Sequence, residues 1–178
     1  MRRQRGRIIG RMNESLRLCP ADPAAGTTAD EIHAVWMQAY AQEAALLGAK
    51  DFPPLRVTVE DLRACRESFF VARIGQELVA CTSVAPAEDR ADITAMVVAP
   101  AYQRRGIASR LLAEILRVYG SSTVTVQTAA KNAPALALYT QAGFVPVRYW
   151  AVGPEQLQLV KLCRSPGAEV RQHPENAA

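Results

Sequence analysis

The chain has 178 residues, 49% of them hydrophobic and 21% charged, so it is long enough to bury one sizeable core in a single domain. Its net charge of +4 does not indicate a specific nucleic-acid-binding face, because five arginines before residue 12 leave the other residues at −1. No apolar run approaches the ~20 residues of a membrane span, which favours a cytoplasmic protein without membrane contact.

The two ends of the chain differ in composition from its middle. Residues 1–12 are rich in arginine, which predicts a disordered basic leader, and Met12 offers an alternative start. The polar segment 165–178 predicts a disordered tail. The folded domain is therefore expected over residues 13–164.

The cysteines and histidines argue against a metal site. Two histidines, His33 and His173, are too few for a typical zinc site, and no C-x-x-C pair occurs. The four cysteines are therefore expected to be buried reduced thiols: Cys19, Cys65, Cys81 and Cys163.

The first half of the chain predicts a strand, two helices and a β-hairpin. Apolar residues at three- and four-residue spacing indicate the first helix, which includes Glu43 as one polar member of its stripe and ends at Gly48. In chain order the elements are the strand 16–18, the helix 29–47, a short helix after Thr58, and the strands 69–74 and 78–84.

The second half predicts alternating strands and helices. These are the strand 92–98, the helix 107–119, the strand 123–128, a helix capped by Asn132, and the strands 145–152 and 156–163. The buried stripe of the longer helix is expected to consist of Ile107, Leu111, Leu112, Ile115 and Val118. A crossover helix makes the strands that it joins parallel, so 92–98 and 123–128 should lie side by side.

The segment from Gln103 to Ala108 predicts an anion site. It leads into a helix whose first backbone N–H groups have no partner within the helix and carry positive potential. Gly106 permits a close approach of the backbone, and Arg104 and Arg105 add charge. The turn is therefore expected to hold a pyrophosphate.

Two motifs in this order resemble those of the GNAT superfamily of N-acetyltransferases. The first is the turn, which matches at Gln103, Gly106 and Ala108. The second matches at Asn132, Ala135, Leu138, Tyr139, Gly143 and Phe144. The resemblance covers residues 16–163. It implies an α/β fold with a mixed, mostly antiparallel sheet of about seven strands and about four flanking helices, splayed between the two central parallel strands.

The resemblance implies acetyl-CoA as cosubstrate, inserted between those central strands. A bulge would aim the Val97 N–H at the thioester carbonyl, and Tyr139 would point its hydroxyl at the sulfur. The cofactor-binding residues that it implies are Met96, Val97, Val98, Gln103, Arg104, Arg105, Gly106, Ile107, Ala108, Ser109, Asn132 and Tyr139.

The resemblance implies the catalytic residues, and the chemistry of acyl transfer to an amine agrees with them. Negative charge develops first on oxygen, where the Val97 N–H would stabilise it, and then on sulfur, which Tyr139 would protonate. The base is expected to be Asp92 at the start of the central strand, although that position also suits a solvated strand-edge residue. Glu43 and Glu67 are the alternatives.

The expected function is transfer of an acetyl group to a primary amine by direct attack in a ternary complex. An acyl-CoA-binding regulatory module with little catalysis is the alternative, and a ribosome-associated enzyme guided by the arginine leader is a third reading. Polyamines, amino acids, antibiotic amines and protein N-termini all stay open as acceptors.

Acceptor specificity is expected to reside in the irregular segments 48–57, 86–91 and 149–156. Asp51 is a candidate contact for a cationic amine. Five aromatic residues are candidates either to line the acceptor pocket or to pack in the core: Trp36, Tyr40, Phe52, Tyr149 and Trp150. The resemblance also implies a homodimer through the last strands.

Overall fold

The computed structural model describes residues 15–167, which form one seven-stranded sheet with helices on both faces. The elements in chain order are β1 (Leu16–Ala21), α1 (Thr28–Leu47), a 3₁₀ turn (Pro53–Arg56), α2 (Val59–Ala64), β2 (Ser68–Ile74), β3 (Glu77–Pro86), β4 (Arg90–Val98), a second 3₁₀ turn (Pro100–Tyr102), α3 (Ile107–Tyr119), β5 (Thr123–Ala129), α4 (Ala133–Gln141), β6 (Val145–Val152) and β7 (Leu157–Arg164). This order confirms the predicted fold class. The predicted leader 1–12 and the tail from residue 168 onward lie outside the described residues.

The sheet opens in its middle. Its strand order is β1-β2-β3-β4-β5-β7-β6, and β4 and β5 form its one parallel pair within residues 15–167. That pairing joins Arg90–Ile93 to Thr123–Val126 and goes no further. Beyond Ile93, β4 keeps β3 as a neighbour on one side only, and beyond Val126 β5 keeps β7. A cleft therefore separates the ends of the two central strands, as the resemblance implied.

Two apolar layers hold the halves of the sheet together. On one face α3 buries Ile107, Leu111, Leu112 and Ile115 against the strands. On the other face α1 buries a stripe that includes Ile32. Each such side chain contributes about 1.5–3 kcal/mol when it is fully removed from water. The core thus fixes the strands on both sides of the cleft.

Local sequence signals account for where helices begin and end. The Thr58 hydroxyl accepts a hydrogen bond from the Asp61 backbone N–H at 3.1 Å, and the Asp61 carboxylate accepts one from the Thr58 backbone N–H at 2.9 Å. This reciprocal pair starts α2 where the sequence predicted a short helix. Gly48 ends α1 in the left-handed conformation, with φ 65°.

The structure corrects three details of the sequence reading. β1 continues to Ala21 because Pro20 lies on an edge strand, where a missing N–H costs little. Val118 is 42% exposed, since the last turn of α3 packs Leu116 and Tyr119 inward instead. Of the four cysteines only Cys81 is buried; Cys19 is exposed, and Cys65 and Cys163 are half-buried.

The described residues hold no metal cluster and no membrane-crossing helix. Between residues 15 and 167, no three His, Cys, Asp or Glu side chains are grouped to hold a metal ion. In the same range, no helix combines the length and apolarity needed to cross a membrane.

Candidate active site

Two cavities occupy the cleft and meet inside it. The smaller cavity, of about 320 Å³, lies against the 3₁₀ turn after α1 and the facing ends of β6 and β7. The larger cavity, of about 710 Å³, lies against the turn before α3 and against α4. Five residues line both: Glu43, Met96, Asn132, Ala135 and Tyr139. At this junction, a molecule in one cavity would touch a molecule in the other.

The turn before α3 has an open backbone that faces the larger cavity. Gly106 has φ 74°, and a Cβ placed on it would meet nothing within 4 Å. α3 begins without a side-chain cap, so the first-turn N–H groups are available to an anion. The residues of this turn that line the cavity are those predicted to bind a pyrophosphate: Gln103, Arg104, Gly106, Ile107, Ala108 and Ser109.

The two arginines of the turn have different environments. Arg104 lines the larger cavity and has a positive φ of 61°. Arg105 does not line it, because its guanidinium donates to the Ala101 carbonyl at 2.9 Å and lies 5.1 Å from the centre of the Tyr102 ring. The prediction that Arg105 contacts the anion is therefore not supported by its side-chain position.

Gln103 connects the turn to two other elements. Its Nε2 donates to the Gln42 Oε1 of α1 at 2.7 Å and to the Val98 carbonyl of β4 at 3.2 Å. The side chain that the sequence assigned to cofactor binding thus also anchors the turn to both sides of the larger cavity.

β4 contains the expected bulge, at Thr94. Ser83 of β3 pairs with Ala95 and Val84 pairs with Ile93, so Thr94 is the extra residue. Thr94 lines the smaller cavity, and its hydroxyl donates to the Glu67 carboxylate and lies 2.6 Å from the Ser83 hydroxyl. The bulge therefore lies two residues before Met96.

Met96, Val97 and Val98 all line the larger cavity, but the backbone pattern of β4 directs the N–H of Met96, and not that of Val97, toward the cleft. The Ala99 N–H donates to the Val79 carbonyl of β3 at 2.9 Å. Hydrogen-bonded pairs alternate along an antiparallel ladder, so the Val97 N–H pairs with Cys81 while the N–H groups of Met96 and Val98 face the open side. The direction of the Val97 N–H does not support its predicted role toward the reacting carbonyl, and Met96, which lines the junction, is the candidate donor.

Glu43 and Asn132 are hydrogen-bonded to each other at the junction. The Asn132 Nδ2 donates to the Glu43 Oε1 at 2.9 Å, while its Oδ1 accepts from the Ala135 N–H at 3.2 Å and caps α4. Burial raises the pKa of the Glu43 carboxyl, and the hydrogen bond from Asn132 opposes that shift in part. A carboxylate with a raised pKa is a stronger proton acceptor.

Tyr139 is buried at the same junction. It is 5% exposed, and burial raises the pKa of its hydroxyl, with a further contribution from the nearby Glu43 charge. Its hydroxyl makes no hydrogen bond to any residue from 15 to 167. A phenol that stays protonated and faces an open space can donate a hydrogen bond to a bound group.

Asp92 lies away from the junction and lines neither cavity. Its carboxylate accepts from the Thr125 hydroxyl and forms ion pairs with Arg90 at 3.0 Å and Lys161 at 3.3 Å. These contacts connect β4 to β5 and β7, so Asp92 stabilises the packing of the three strands. The prediction that Asp92 is the base is not supported by this position.

The other acidic candidates also differ in how close they lie to the cavities. Asp51 is exposed and forms an ion pair with Arg56, and it does not line the smaller cavity. Glu67 is half-buried beside Thr94, close enough for its charge to contribute to a raised pKa of Tyr40 after the larger effect of burial. Glu43 lines both cavities, whereas Glu67 lines neither and reaches the cleft only through its contact with Thr94.

The aromatic candidates also differ in whether they line a cavity. Tyr40 and Phe52 line the smaller cavity, and Trp36 packs behind Tyr40 with a ring-centre distance of 5.2 Å. Tyr149 is 63% exposed on β6, and Trp150 lines neither cavity.

The sequence favours Asp92 as the base and offers Glu43 only as an alternative. Its signal was its position as the one polar member of an otherwise apolar stripe on α1. Thr94 was missed as a site residue because a bulge has no sequence signature in an alternating strand.

Comparison with known proteins identifies the family. The profile described as "Acetyltransferase (GNAT) family" matches residues 30–144. The chain is 35% identical over 119 residues to the UPF0157 protein YqkA of Bacillus subtilis (strain 168). That match covers 66% of this chain and 35% of YqkA, so the chain spans about a third of its curated relative.

Solved structures share the fold at low sequence identity. The ribosomal-protein-S18-alanine N-acetyltransferase of Escherichia coli is 17% identical, with a TM-score of 0.68 over 92% of this chain and 99% of that one. YncA of Salmonella typhimurium, solved with acetyl-CoA, is 16% identical, with a TM-score of 0.66 and the same two coverages of 92% and 99%. PaiA of Thermoplasma acidophilum, solved with coenzyme A, is 13% identical, with a TM-score of 0.66 over 83% and 98%. The chain belongs to the GNAT family of acetyltransferases.

Proposed function

We propose that the chain is an acetyl-CoA-dependent N-acetyltransferase that moves the acetyl group directly to a primary amine. The observation that carries the proposal is the junction of the two cavities, which brings together the Glu43 carboxylate, the Tyr139 hydroxyl and Met96. A proton acceptor, a proton donor and a backbone N–H are the groups that amine attack on a thioester requires.

The larger cavity suits acetyl-CoA. The first-turn N–H groups of α3 and the Arg104 guanidinium offer positive potential to the pyrophosphate, and the space beside Gly106 admits it. The pantetheine arm would lie along β4, where the backbone groups of Met96 and Val98 have no neighbouring strand on the side that faces β5. This arrangement delivers the thioester to the junction.

The smaller cavity suits the amine. Glu43 accepts the proton of the incoming ammonium, which leaves a neutral nitrogen free to attack the thioester carbon. The Met96 N–H stabilises the negative charge that develops on the carbonyl oxygen. As the carbon–sulfur bond breaks, Tyr139 passes its proton to the sulfur and takes up the excess proton that the attacking nitrogen still carries. The products are the N-acetylated amine, the free thiol and the proton held by Glu43.

The cysteines support direct transfer without an acyl-enzyme. None of the described cysteines lines either cavity. Burial raises the pKa of the Cys81 thiol to about 12, so it stays protonated and is a poor nucleophile near neutral pH.

The test is release of free thiol from acetyl-CoA in the presence of a panel of amines, with mass spectrometry of the acetylated product. Turnover that depends on the amine supports the proposal. Binding of coenzyme A, seen as a raised melting temperature, with no thiol release above hydrolysis for any amine would instead favour an acyl-CoA-binding module.

A further inference from the structure

The smaller cavity has apolar walls. On one side the rings of Tyr40 and Phe52 lie 5.8 Å apart between centres, at an angle of 59°. Further apolar contacts come from the 3₁₀ turn and from β7, among them Pro53, Pro54, Leu157 and Leu159. Rings and prolines of this kind bind an apolar body by burial of its surface.

The position of these walls is fixed by hydrogen bonds behind them. The Trp36 indole N–H donates to the Pro54 carbonyl at 3.1 Å and holds the 3₁₀ turn against α1. The Lys50 backbone N–H donates to the Glu155 carboxylate, at 3.2 Å and 3.4 Å to its two oxygens. That second contact joins the segment before the 3₁₀ turn to the β6–β7 turn, so the two loops that flank the cavity are connected.

Among residues 15–167, Glu43 is the one side chain with a full charge that lines the smaller cavity. The other polar groups there are neutral: the hydroxyls of Tyr40, Tyr139, Thr94 and Thr128 and the amides of Gln127 and Asn132. No lysine or arginine of the described residues lines it. The cavity therefore has a partner for one cation and none for an anion.

From this inventory we propose that the acceptor is a compact monoamine with an apolar body, such as an arylalkylamine or a short alkylamine. The proposal rests on the proposed function and names its acceptor class. The ammonium faces Glu43 at the junction, and the body lies between the Tyr40 and Phe52 rings and the leucines of β7. A volume of about 320 Å³ accommodates a small molecule of this kind.

The same inventory disfavours the other acceptor classes. A polyamine or an antibiotic amine brings at least one more ammonium, and an amino acid brings a carboxylate, for which the lining residues offer no counter-charge. A charge taken from water without a partner is strongly penalised. An extended peptide would have to separate Lys50 from Glu155 where the two loops meet.

Two matched pairs of amines test the charge argument. Hexylamine and hexamethylenediamine differ by one ammonium, and phenethylamine and phenylalanine differ by one carboxylate. We expect kcat/KM for thiol release to be about 100-fold higher for the first member of each pair, because the added charge has no partner in the cavity.

A change in the wall provides a second readout. Leu157→Glu adds a carboxylate on the β7 wall of the cavity, and Leu157→Gln is its uncharged control of nearly the same size. We expect Leu157→Glu to raise kcat/KM for hexamethylenediamine about tenfold relative to Leu157→Gln, with no such gain for hexylamine. Equal values for the diamine in the two variants count against the assignment.

The outcomes separate this inference from the proposed function. Thiol release that is equal or faster with hexamethylenediamine and phenylalanine overturns the monoamine assignment and leaves the acetyltransferase intact. Absence of amine-dependent thiol release with every compound, when coenzyme A binds, overturns both.

Discussion

Asn132 donates a 2.9 Å hydrogen bond to Glu43 while its own side-chain oxygen caps α4. One asparagine thus connects α1 to α4 across the junction of the two cavities. Because the amide is held at both ends, the Glu43 carboxylate is oriented by α4 and not by its own helix alone. The site depends on this contact between residues that are 89 positions apart.

Replacement of Glu43 by glutamine should lower kcat about 100-fold if Glu43 is the base. Burial raises the pKa of this carboxyl, so the wild-type rate should rise with pH through a value above the usual carboxyl range. Glu43→Gln should lose that acid limb in a pH profile of kcat/KM. Glu67→Gln is the matched control, and loss of the limb in that variant alone would assign the base to Glu67.

The same substitution should change stability in the opposite direction. A raised pKa of Glu43 means that the folded state binds the proton more tightly than the unfolded state, so stability declines as pH rises through that pKa. Glu43→Gln should therefore melt at a higher temperature than the wild type at about pH 7 and at a similar temperature at about pH 4. Thermal melts at both pH values check this. A lower melting temperature at neutral pH would contradict it.

Tyr139→Phe should lower kcat about tenfold and leave the KM for acetyl-CoA nearly unchanged. The effect is modest because a thiol with a pKa of ~8.5 is already a fair leaving group. The fold should tolerate the change, since the hydroxyl bonds to no residue between 15 and 167. Steady-state kinetics and a thermal melt measure the two effects, and an unchanged kcat would show that the sulfur is protonated from water.

Gly106→Ala should weaken coenzyme A binding about tenfold, because the new methyl group occupies the open space that the pyrophosphate requires. The left-handed backbone also costs about 1 kcal/mol of stability. Gly153→Ala is the control: its φ is 66° and its Cβ would also meet nothing within 4 Å, but it lies in the β6–β7 turn. Calorimetric titration should show a changed Kd only for Gly106→Ala; equal losses in both variants would point to strain alone.

Asp92→Asn should affect stability and not catalysis. The substitution removes the ion pairs with Arg90 and Lys161 and should lower the free energy of unfolding by about 1 kcal/mol. The value of kcat/KM should stay within about threefold of the wild type. Urea unfolding and thiol release check the two parts. A large loss of kcat at unchanged stability would restore Asp92 as the base.

The features that the sequence predicted well are local ones. The helix from Ile107 to Tyr119 is predicted with its observed bounds, because a glycine-containing turn and a strong apolar stripe define it within the segment 103–119. Thr58 and Asp61 likewise carry their capping signal in four consecutive residues. The resemblance then supplied the splayed sheet, which no local pattern contains.

The features that were wrong or missed depend on neighbours far along the chain. Whether Val97 or Met96 turns its N–H toward the cleft is decided by the register of β4 against β3, which begins with Ala99 bonded to Val79. Asp92 starts the central strand, which suits a base, but in the fold its carboxylate contacts Lys161 of β7 and Thr125 of β5. Such pairings follow from tertiary packing, and a single sequence does not encode them at fixed spacing.

The gap that opens in the sheet beyond Ile93 links the stability of the fold to the binding of the cosubstrate. A cosubstrate arm that lies along β4 would complete the missing ladder and act as a temporary eighth strand. Its binding would then add to the free energy of folding in proportion to the logarithm of its concentration. Resistance to proteolysis in solution should accordingly rise with the concentration of acetyl-CoA.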